Sequence, residues 1–183
     1  MSVYEGGNLM KSCIHIYCGD GKGKTTAAIG LAVRAAGSGK KVLVTRFLKT
    51  DHSGEVNSLK ALPEIEVTPC ERSFGFFTNM TEDQKKEAKS YYSGLLETTL
   101  MKAGEEGFDL LVLDEIMAVC NYGLVEERQV LDFLKNRPEK LEVVLTGRNP
   151  SESLLDEADY VSEVRKVKHP YDKGIKARKG IEY

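Results

Sequence analysis

The stretch Gly19-Asp20-Gly21-Lys22-Gly23-Lys24-Thr25-Thr26 lies between an apolar run at residues 14–17 and an alanine-rich segment at residues 27–36. It predicts a phosphate-binding loop that connects a strand to a helix. Glycines let backbone N–H groups turn toward a polyphosphate, and the start of the helix adds its positive end. Lys24 adds a charge and Thr25 offers a hydroxyl to Mg²⁺. Residues 19–26 are therefore expected to bind a nucleoside triphosphate together with Mg²⁺.

The spacing of this loop departs from the usual one, in which a further glycine stands five residues before Gly23. That position is Cys18 here. Gly19 and Gly21 still alternate with Gly23, so we expect a flexible loop that holds its phosphates differently from an ordinary nucleotide hydrolase. The alternative is a glycine-rich turn with an incidental lysine, which the strand and helix patterns on either side disfavour.

Composition favours one compact intracellular domain over residues 1–183. The chain is 41% hydrophobic, which is enough for one sizeable core, and it is short for two typical domains. A net charge of −2 argues against a dedicated nucleic-acid binder. The four cysteines form no CxxC pair and no secretory signal is apparent, so reduced thiols in the cytoplasm are expected. No apolar run reaches the roughly 20 residues that cross a membrane.

Short apolar runs alternate with segments of helical periodicity along the chain. This alternation predicts an α/β fold, a P-loop NTPase-like (RecA-like) mostly parallel sheet with helices on both faces. The predicted strands are 13–17, 42–47, 66–69, 110–113, 142–146 and 160–164, and the predicted helices are 25–36, 83–103, 126–136 and 151–158. Residues 49–54, residues 72–81 and the tail from Arg165 onward do not fit the pattern. We expect such loops at the carboxyl ends of the strands, where ligands bind.

Two further strand ends carry polar groups. The run at residues 108–115 is an apolar strand that ends in Asp114 and Glu115, which can hold Mg²⁺ opposite Lys24. An acidic pair at this position is also typical of a helix cap, but the phosphate-binding loop favours the metal site. The second end is Leu145-Thr146-Gly147-Arg148, where Arg148 can meet phosphate oxygens. A surface ion pair is the alternative for Arg148.

Taken together, these motifs resemble the ATP:corrinoid adenosyltransferases, the cob(I)alamin or cob(I)yrinic acid a,c-diamide adenosyltransferases of the P-loop type. The resemblance rests on GDGKGKTTAA with its missing first glycine, on VLDE at 112–115 and on LTGR at 145–148. It rests most specifically on the ending VKHPYDKGIKARKGIEY at 167–183. The family implies transfer of the 5′-deoxyadenosyl group of ATP to the Co(I) of a corrinoid, with release of inorganic triphosphate.

The resemblance also implies roles for individual residues. Residues 19–26 would bind the nucleotide, Thr25 and Glu115 would lie on the magnesium side, and Asp114 would support the metal shell. Lys24 and Arg148 would stabilise the departing triphosphate. The nucleophile needs no protein base, because cobalt in its +1 state has no proton to lose, and the sequence shows no Ser/His/Asp or Cys/His arrangement that would supply one.

The family also has an aromatic pair that closes the lower face of the corrin. Phe74 and Phe76 take those positions, with phenylalanine where tryptophan can stand, and ordinary loop packing is the alternative for both rings. Further expectations from the family are a homodimer and an electron-donating reductase as partner. The segment at residues 1–12 is short and lacks the longer amphipathic segment of some relatives.

Other functions of a phosphate-binding loop stay open at this point. A nucleoside or nucleotide kinase would use the same groups to move the γ-phosphoryl group and would produce ADP. A regulatory P-loop ATPase would hydrolyse ATP slowly and need no corrinoid. A corrinoid-delivery protein would bind both ligands without turnover.

Overall fold

A parallel six-stranded sheet organises the protein, which we describe from a computed structural model covering residues 12–50 and 53–182. The strands are β1 (Ile14–Cys18), β2 (Val42–Arg46), β3 (Ile65–Val67), β4 (Leu110–Asp114), β5 (Glu142–Thr146) and β6 (Tyr160–Glu163). Their order across the sheet is β3-β2-β4-β5-β1-β6, and each neighbouring pair is parallel. One strand, β5, therefore separates the strand before the glycine-rich loop from the strand that ends in Asp114.

Helices cover both faces of this sheet. They are α1 (Lys24–Ala36), α2 (Gly54–Lys60), α3 (Glu82–Glu105), α4 (Ile116–Asn121), α5 (Glu127–Asn136) and α6 (Glu152–Glu157). Successive residues of a strand point to opposite faces, so Leu111 and Leu113 pack with α3–α6 while Leu110 and Val112 pack with α1 and α2. The central strands β2, β4 and β5 are mostly apolar and buried because both faces are covered.

The predicted α/β architecture with helices on both faces is confirmed, and the six predicted strands all form. Their bounds differ by a few residues, most consequentially in β1, which runs to Cys18 and not only to Tyr17. Helix α3 starts as the sequence specifies, with a capping box in which Thr81 accepts from the Gln84 N–H and Gln84 accepts from the Thr81 N–H.

Two short helices were not predicted. Helix α4 follows β4 directly, and its residues Ile116, Met117 and Val119 are all buried. Its sequence is therefore almost entirely apolar and does not alternate with polar residues at the spacing that identifies an amphipathic helix. Helix α2 lies partly within the segment expected to be loop, and only Val56 and Leu59 mark its buried side. Within residues 12–50 and 53–182, no helix has both the length and the apolar character needed to cross a bilayer. The expectation for residues 1–11 lies outside the described residues.

Candidate active site

The glycine-rich loop leaves β1 at Cys18 and enters α1 at Lys24. Cys18 occupies the position where the usual loop has its first glycine, yet here it is the last residue of the strand and its side chain is buried. Burial raises the pKa of this thiol, which fits a neutral packing residue. The sharp turn falls one residue later, at Gly19, whose φ of 101° favours glycine.

Lys24 lies at the foot of the loop and is only 7% exposed. Its Nζ donates to the carbonyl oxygen of Gly21 at 2.8 Å. Burial lowers the pKa of the Lys24 ammonium, and the Glu115 and Asp20 carboxylates oppose that effect. A desolvated ammonium at the start of a helix favours an incoming polyphosphate, because the phosphate oxygens replace the hydration that burial removed.

Asp114, at the end of β4, is the centre of a buried polar cluster and is fully buried. Its Oδ1 accepts from the Thr25 hydroxyl at 2.8 Å and from the Thr146 hydroxyl at 2.6 Å. Lys49 Nζ donates to Asp114 Oδ2 at 2.6 Å and to Thr25 Oγ1 at 2.7 Å. The cluster joins the ends of β4 and β5, the first turn of α1 and the loop after β2.

Glu115 follows in a left-handed backbone conformation with φ of 62°. Its N–H donates to Thr146 Oγ1 at 2.9 Å, which helps hold this uncommon conformation. Burial and the neighbouring Asp114 carboxylate raise the pKa of Glu115, while Lys49, Lys24 and Arg148 act in the other direction. The side chain therefore faces three cations and a second carboxylate at one edge of the sheet.

Arg148 reaches the same edge from the end of β5. Gly147 before it has φ of 151°, and a Cβ there would lie 2.5 Å from Met117 Cβ, so only glycine lets this turn pass α4. Asn121, at the end of α4, holds the turn by donating from Nδ2 to the Arg148 carbonyl oxygen at 3.0 Å. The Arg148 side chain lies at the rim that Glu115 and Lys24 share.

The chain after β6 packs against the glycine-rich loop. The Gly21 N–H donates to the Val164 carbonyl oxygen at 2.7 Å, and the Lys166 N–H donates to Asp20 Oδ1 at 2.9 Å. A Cβ on Gly19 or Gly21 would lie 2.5 or 2.7 Å from the Val164 oxygen. Because these two glycines have no Cβ, the backbone of the tail can pack directly against the loop. Asp20, expected to contact the nucleotide, bonds the tail here, and the Lys166 N–H lowers the pKa of its carboxyl.

These elements enclose an open cleft of about 940 Å³. Its size lies toward the upper end of the range of about 300–1,000 Å³ that is typical of small-molecule sites. The loop forms its floor. One wall is formed by Lys49, Thr50 and the start of α2 from Ser53 onward, and the tail forms another. The lining residues are Asp20–Thr26, Ile29, Lys49, Thr50, Ser53–Glu55, Ser58, Glu115, Arg148, His169 and Gly180–Glu182.

The cleft contains the predicted nucleotide residues 20–26, with Glu115 and Arg148, and Asp114 lies directly beneath it. Sequence reasoning expected residues 49–54 and the tail from Arg165 near the site, but it gave no individual role to Lys49, Thr146, His169 or Glu182. Lys49 was placed in a segment that fitted no element, and its position at the end of a buried strand was the signal that could have identified it. Thr146 was quoted as part of a strand end but given no role.

The aromatic pair is divided between two environments. Phe74 is half-buried, with its ring centre 5.8 Å from those of Tyr91 and Tyr92. Phe76 is 81% exposed. Neither ring lines the cleft. The neighbouring Phe77 stacks on Tyr122 at 4.5 Å, so the segment is anchored beside Asn121 and hence near the Arg148 turn.

The donor set at the cleft fits a magnesium ion that shares its ligands with phosphates and water. Within residues 12–50 and 53–182, no group of three or more His, Cys, Asp or Glu side chains is arranged to hold a metal. Thr25, Asp114 and Glu115 instead offer a hydroxyl and two carboxylates, all hard oxygen donors, beside the loop. Mg²⁺ bound to a nucleotide uses few protein ligands of this kind.

Comparison with known proteins gives consistent matches over most of the chain. Residues 10–183 match the model of the family described as "ATP:corrinoid adenosyltransferase BtuR/CobO/CobP". The corrinoid adenosyltransferase of Escherichia coli strain K12 is 35% identical over 94% of this chain and 86% of that protein. The corrinoid adenosyltransferase CobA of Salmonella typhimurium is 37% identical over the same shares. The corrinoid adenosyltransferase of Pseudomonas aeruginosa is 36% identical over 92% and 82%.

Among solved structures, the cytoplasmic domain of EssC superposes with a TM-score of 0.51 and 12% identity. The match covers 93% of this chain but only 36% of that chain. At this identity it supports the P-loop α/β fold alone.

Proposed function

Because the chain belongs to the ATP:corrinoid adenosyltransferase family, we propose that the cleft above residues 19–26 binds the ATP whose adenosyl group is transferred to a corrinoid. The transfer itself is the reaction of the family, and the chain is such an enzyme. The observation that supports this location is the meeting of the loop, Lys24, Thr25, Glu115 and Arg148 at one cleft. The loop, Lys24 and Thr25 follow β1, Glu115 follows β4, and Arg148 follows β5.

The protein's contribution to chemistry is to position the ATP and stabilise its leaving group. Attack at the ribose C5′ breaks the C5′–O bond and leaves the electron pair on triphosphate. Lys24 and the N–H groups at the start of α1 would face the developing charge, and Arg148 would supply a planar donor from the rim that it shares with Lys24. The reduced cobalt of the corrinoid substrate is the nucleophile and needs no proton acceptor.

Magnesium would be held by Thr25 and Glu115, with Asp114 orienting the Thr25 hydroxyl. When bound, the ion neutralises phosphate oxygens and so lowers the energy of the departing triphosphate. Thr146 supports both acidic residues, because its hydroxyl donates to Asp114 Oδ1 and accepts the Glu115 N–H. The two carboxylates therefore keep a fixed relation to the loop.

The corrinoid would lie beyond the rim on the side of Arg148, with Phe76 against its lower face. Phe76 is the large apolar side chain most exposed in this segment, and the Phe77–Tyr122 stack fixes the segment beside that rim. An apolar wall that expels the lower axial ligand makes Co(II) easier to reduce. Phe74, packed on Tyr91 and Tyr92, would act by holding the wall in place.

The assembly we propose is a cytoplasmic homodimer of single-domain chains that receives electrons from a reductase protein. Strand β6 supports the dimer, because it is the edge of the sheet and all four of its residues are exposed. Tyr160 and Val161 are at least half exposed on that edge. Light scattering during size-exclusion chromatography tests the dimer, which a monomeric mass would contradict.

An anaerobic assay tests the function and the site together. The protein is incubated with ATP, Mg²⁺ and chemically reduced cob(I)alamin, and the Co(I) spectrum should give way to that of a light-sensitive Co–C product. Phosphorus NMR should identify triphosphate in equal amount. Lys24→Ala should lower kcat by about 100- to 1,000-fold, the usual effect of removing one preorganised donor.

Lys40→Ala is the matched control, because Lys40 is an exposed lysine in the turn before β2. It lies at the amino ends of the strands, whereas the cleft lies at their carboxyl ends. This substitution should leave kcat unchanged. Stoichiometric orthophosphate or ADP would contradict the assigned reaction. An unchanged rate in Lys24→Ala would contradict the assigned site.

A further inference from the structure

Lys49 is a charged residue of the cleft that the proposed mechanism does not use. Its ammonium lies 2.6 Å from Asp114 Oδ2 and 2.7 Å from Thr25 Oγ1. Both side chains belong to the proposed magnesium site, on which this inference rests: Thr25 is a ligand, and Asp114 accepts the Thr25 hydroxyl proton and orients it. The Lys49 ammonium therefore lies between the Thr25 hydroxyl and the Asp114 carboxylate, in the position where a metal cation would bind.

The Thr25 hydroxyl shows which way this position faces. It donates its proton to Asp114 Oδ1 and accepts from Lys49 Nζ, so its lone pair points toward the ammonium. A threonine that ligates a metal needs the same orientation, with its lone pair on the cation and its proton on an acceptor. The Asp114 carboxylate is fully buried, so it requires a positive charge on its Oδ2 side.

We propose that Lys49 is a built-in counter-ion of the metal position, which holds Thr25 and Asp114 in the orientation that the metal site needs and exchanges with the divalent cation when metal and nucleotide bind. Two cations cannot share this position at these distances, because an Mg²⁺ ion requires oxygen ligands at about 2.0–2.1 Å. Lys49 is 28% exposed and lines the cleft, so it can move into the cleft when it is displaced. The displaced ammonium then lies beside the triphosphate.

Arg46 positions the loop that carries Lys49. Its guanidinium is fully buried, with Nη2 donating to the Thr50 carbonyl oxygen at 3.1 Å and Nη1 lying 3.6 Å from Glu55 Oε1. Leu48 has a φ of 58°, an uncommon conformation for such a residue, and its backbone hydrogen-bonds Tyr92. The backbone on either side of Lys49 is thus held, and the flexible part is the lysine side chain itself.

Charge in the cleft explains why an exchange is needed. The charged groups that act on Lys24 and Glu115 are Lys49, Arg148, Asp20 and Asp114, so this inner set of six groups has three positive and three negative members. A metal ion added to this set would be repelled by Lys49. Triphosphate brings enough negative charge to accept both the metal and the released ammonium. The exchange therefore favours binding of metal and nucleotide together over binding of metal alone.

The test measures metal binding alone, with Mn²⁺ in place of Mg²⁺ and electron paramagnetic resonance to count free ion. Lys49→Met should bind Mn²⁺ at least about tenfold more tightly than wild type, a change of about 1.4 kcal/mol. Lys49→Arg keeps the charge and should stay close to wild type. Lys40→Met is the control for an exposed lysine and should not change Mn²⁺ affinity. Thr25→Val should weaken Mn²⁺ binding.

A second measurement uses the wild-type protein, so it does not depend on the folding of a variant. Acylation of lysines by an N-hydroxysuccinimide ester, mapped by mass spectrometry, should become faster at Lys49 when Mn²⁺ is added and stay unchanged at Lys40. Unchanged Mn²⁺ affinity in folded Lys49→Met, or unchanged Lys49 reactivity, overturns the exchange. If Thr25→Val also binds Mn²⁺ as wild type does, the magnesium site itself is wrong.

Discussion

Gly21→Ala tests whether the tail is docked on the glycine-rich loop as the structure shows. The new Cβ would lie 2.7 Å from the Val164 oxygen and 2.8 and 2.9 Å from the Arg165 carbonyl carbon and oxygen. All three are backbone atoms, so no side chain can rotate away. Gly21 does not have positive φ, and alanine therefore adds no backbone strain of its own. The substitution acts only by pushing the tail off the loop.

The size of the effect follows from the contacts that are lost. Ordinary van der Waals contact begins at about 3.4 Å, so the tail backbone must retreat by about 0.7 Å. The hydrogen bond from the Gly21 N–H to the Val164 oxygen, at 2.7 Å, is lost or greatly lengthened. That bond and the overlap together cost at least about 2 kcal/mol. The open population of the tail should therefore rise roughly thirtyfold.

Amide hydrogen exchange measures this opening directly. The amides of residue 21 and of Val164, which donates to the Cys18 oxygen at 2.8 Å, should lose protection, while those of β4 in the sheet centre should keep theirs. Gly30→Ala in α1 is the control, since its Cβ would meet nothing within 4 Å. It should stabilise the protein by about 0.5–1 kcal/mol without affecting the tail.

ATP binding should weaken in Gly21→Ala, because His169 and Glu182 of the tail line the cleft. Saturating nucleotide should restore part of the lost protection if the tail and the ligand stabilise each other. Equal exchange at residue 21 and Val164 in the variant and the wild type would refute the docking. Lost protection with unchanged ATP affinity would show that the tail takes no part in binding.

Three further results are expected from single substitutions. Phe76→Ala should leave the melting temperature unchanged, since Phe76 is 81% exposed. It should also leave the reaction with prereduced cob(I)alamin unchanged but slow the reaction that starts from cob(II)alamin with a protein reductant. Equal loss in both assays would contradict a role at the lower face of the corrin. Phe74→Ala should instead destabilise the fold by about 2 kcal/mol in denaturant titration, because its ring packs on Tyr91 and Tyr92. The pKa of Asp20 lies below its ordinary value of 3.8 because its carboxylate accepts the Lys166 N–H. The contribution of Asp20 to tail docking is therefore fully present above pH 3.8 and is lost as the pH falls through the pKa of the folded protein. The Lys166 amide shift in NMR should report this titration and should become flat in Asp20→Asn; a titrating shift in that variant would assign the effect to another group.

The layer architecture and the floor of the site follow from sequence because they depend on local patterns. Apolar strands such as 110–114 and a glycine-rich loop before an alanine-rich helix have direct physical causes that are visible in short windows. Parallel strands also bring their carboxyl ends to one edge, so Asp114 and Arg148 could be placed near Lys24 without knowing the strand order.

The rest of the site depends on contacts between distant residues. Lys49 reaches Asp114 across 65 positions of sequence, and Asp20 reaches Lys166 across 146. No local pattern records which loop lysine meets which buried carboxylate. The environments of Phe74 and Phe76 were likewise beyond reach, because two rings separated by one glycine look equivalent in sequence, and only the packing of α3 distinguishes them.

The tail contact also explains why the loop can lack its first glycine. Gly19 and Gly21 make room for the Val164 backbone, and the Gly21 N–H is already bonded to it, so the first half of the loop is committed to the protein's own chain. In the second half, Gly23 has φ of 125° with open space around it, and it lines the cleft together with Lys24. A glycine at position 18 would have no phosphate to approach, because that residue lies within β1 and packs inward. This arrangement supports the proposal that the first turn of α1 and Lys24 bind the phosphates of ATP, while the first half of the loop holds the tail.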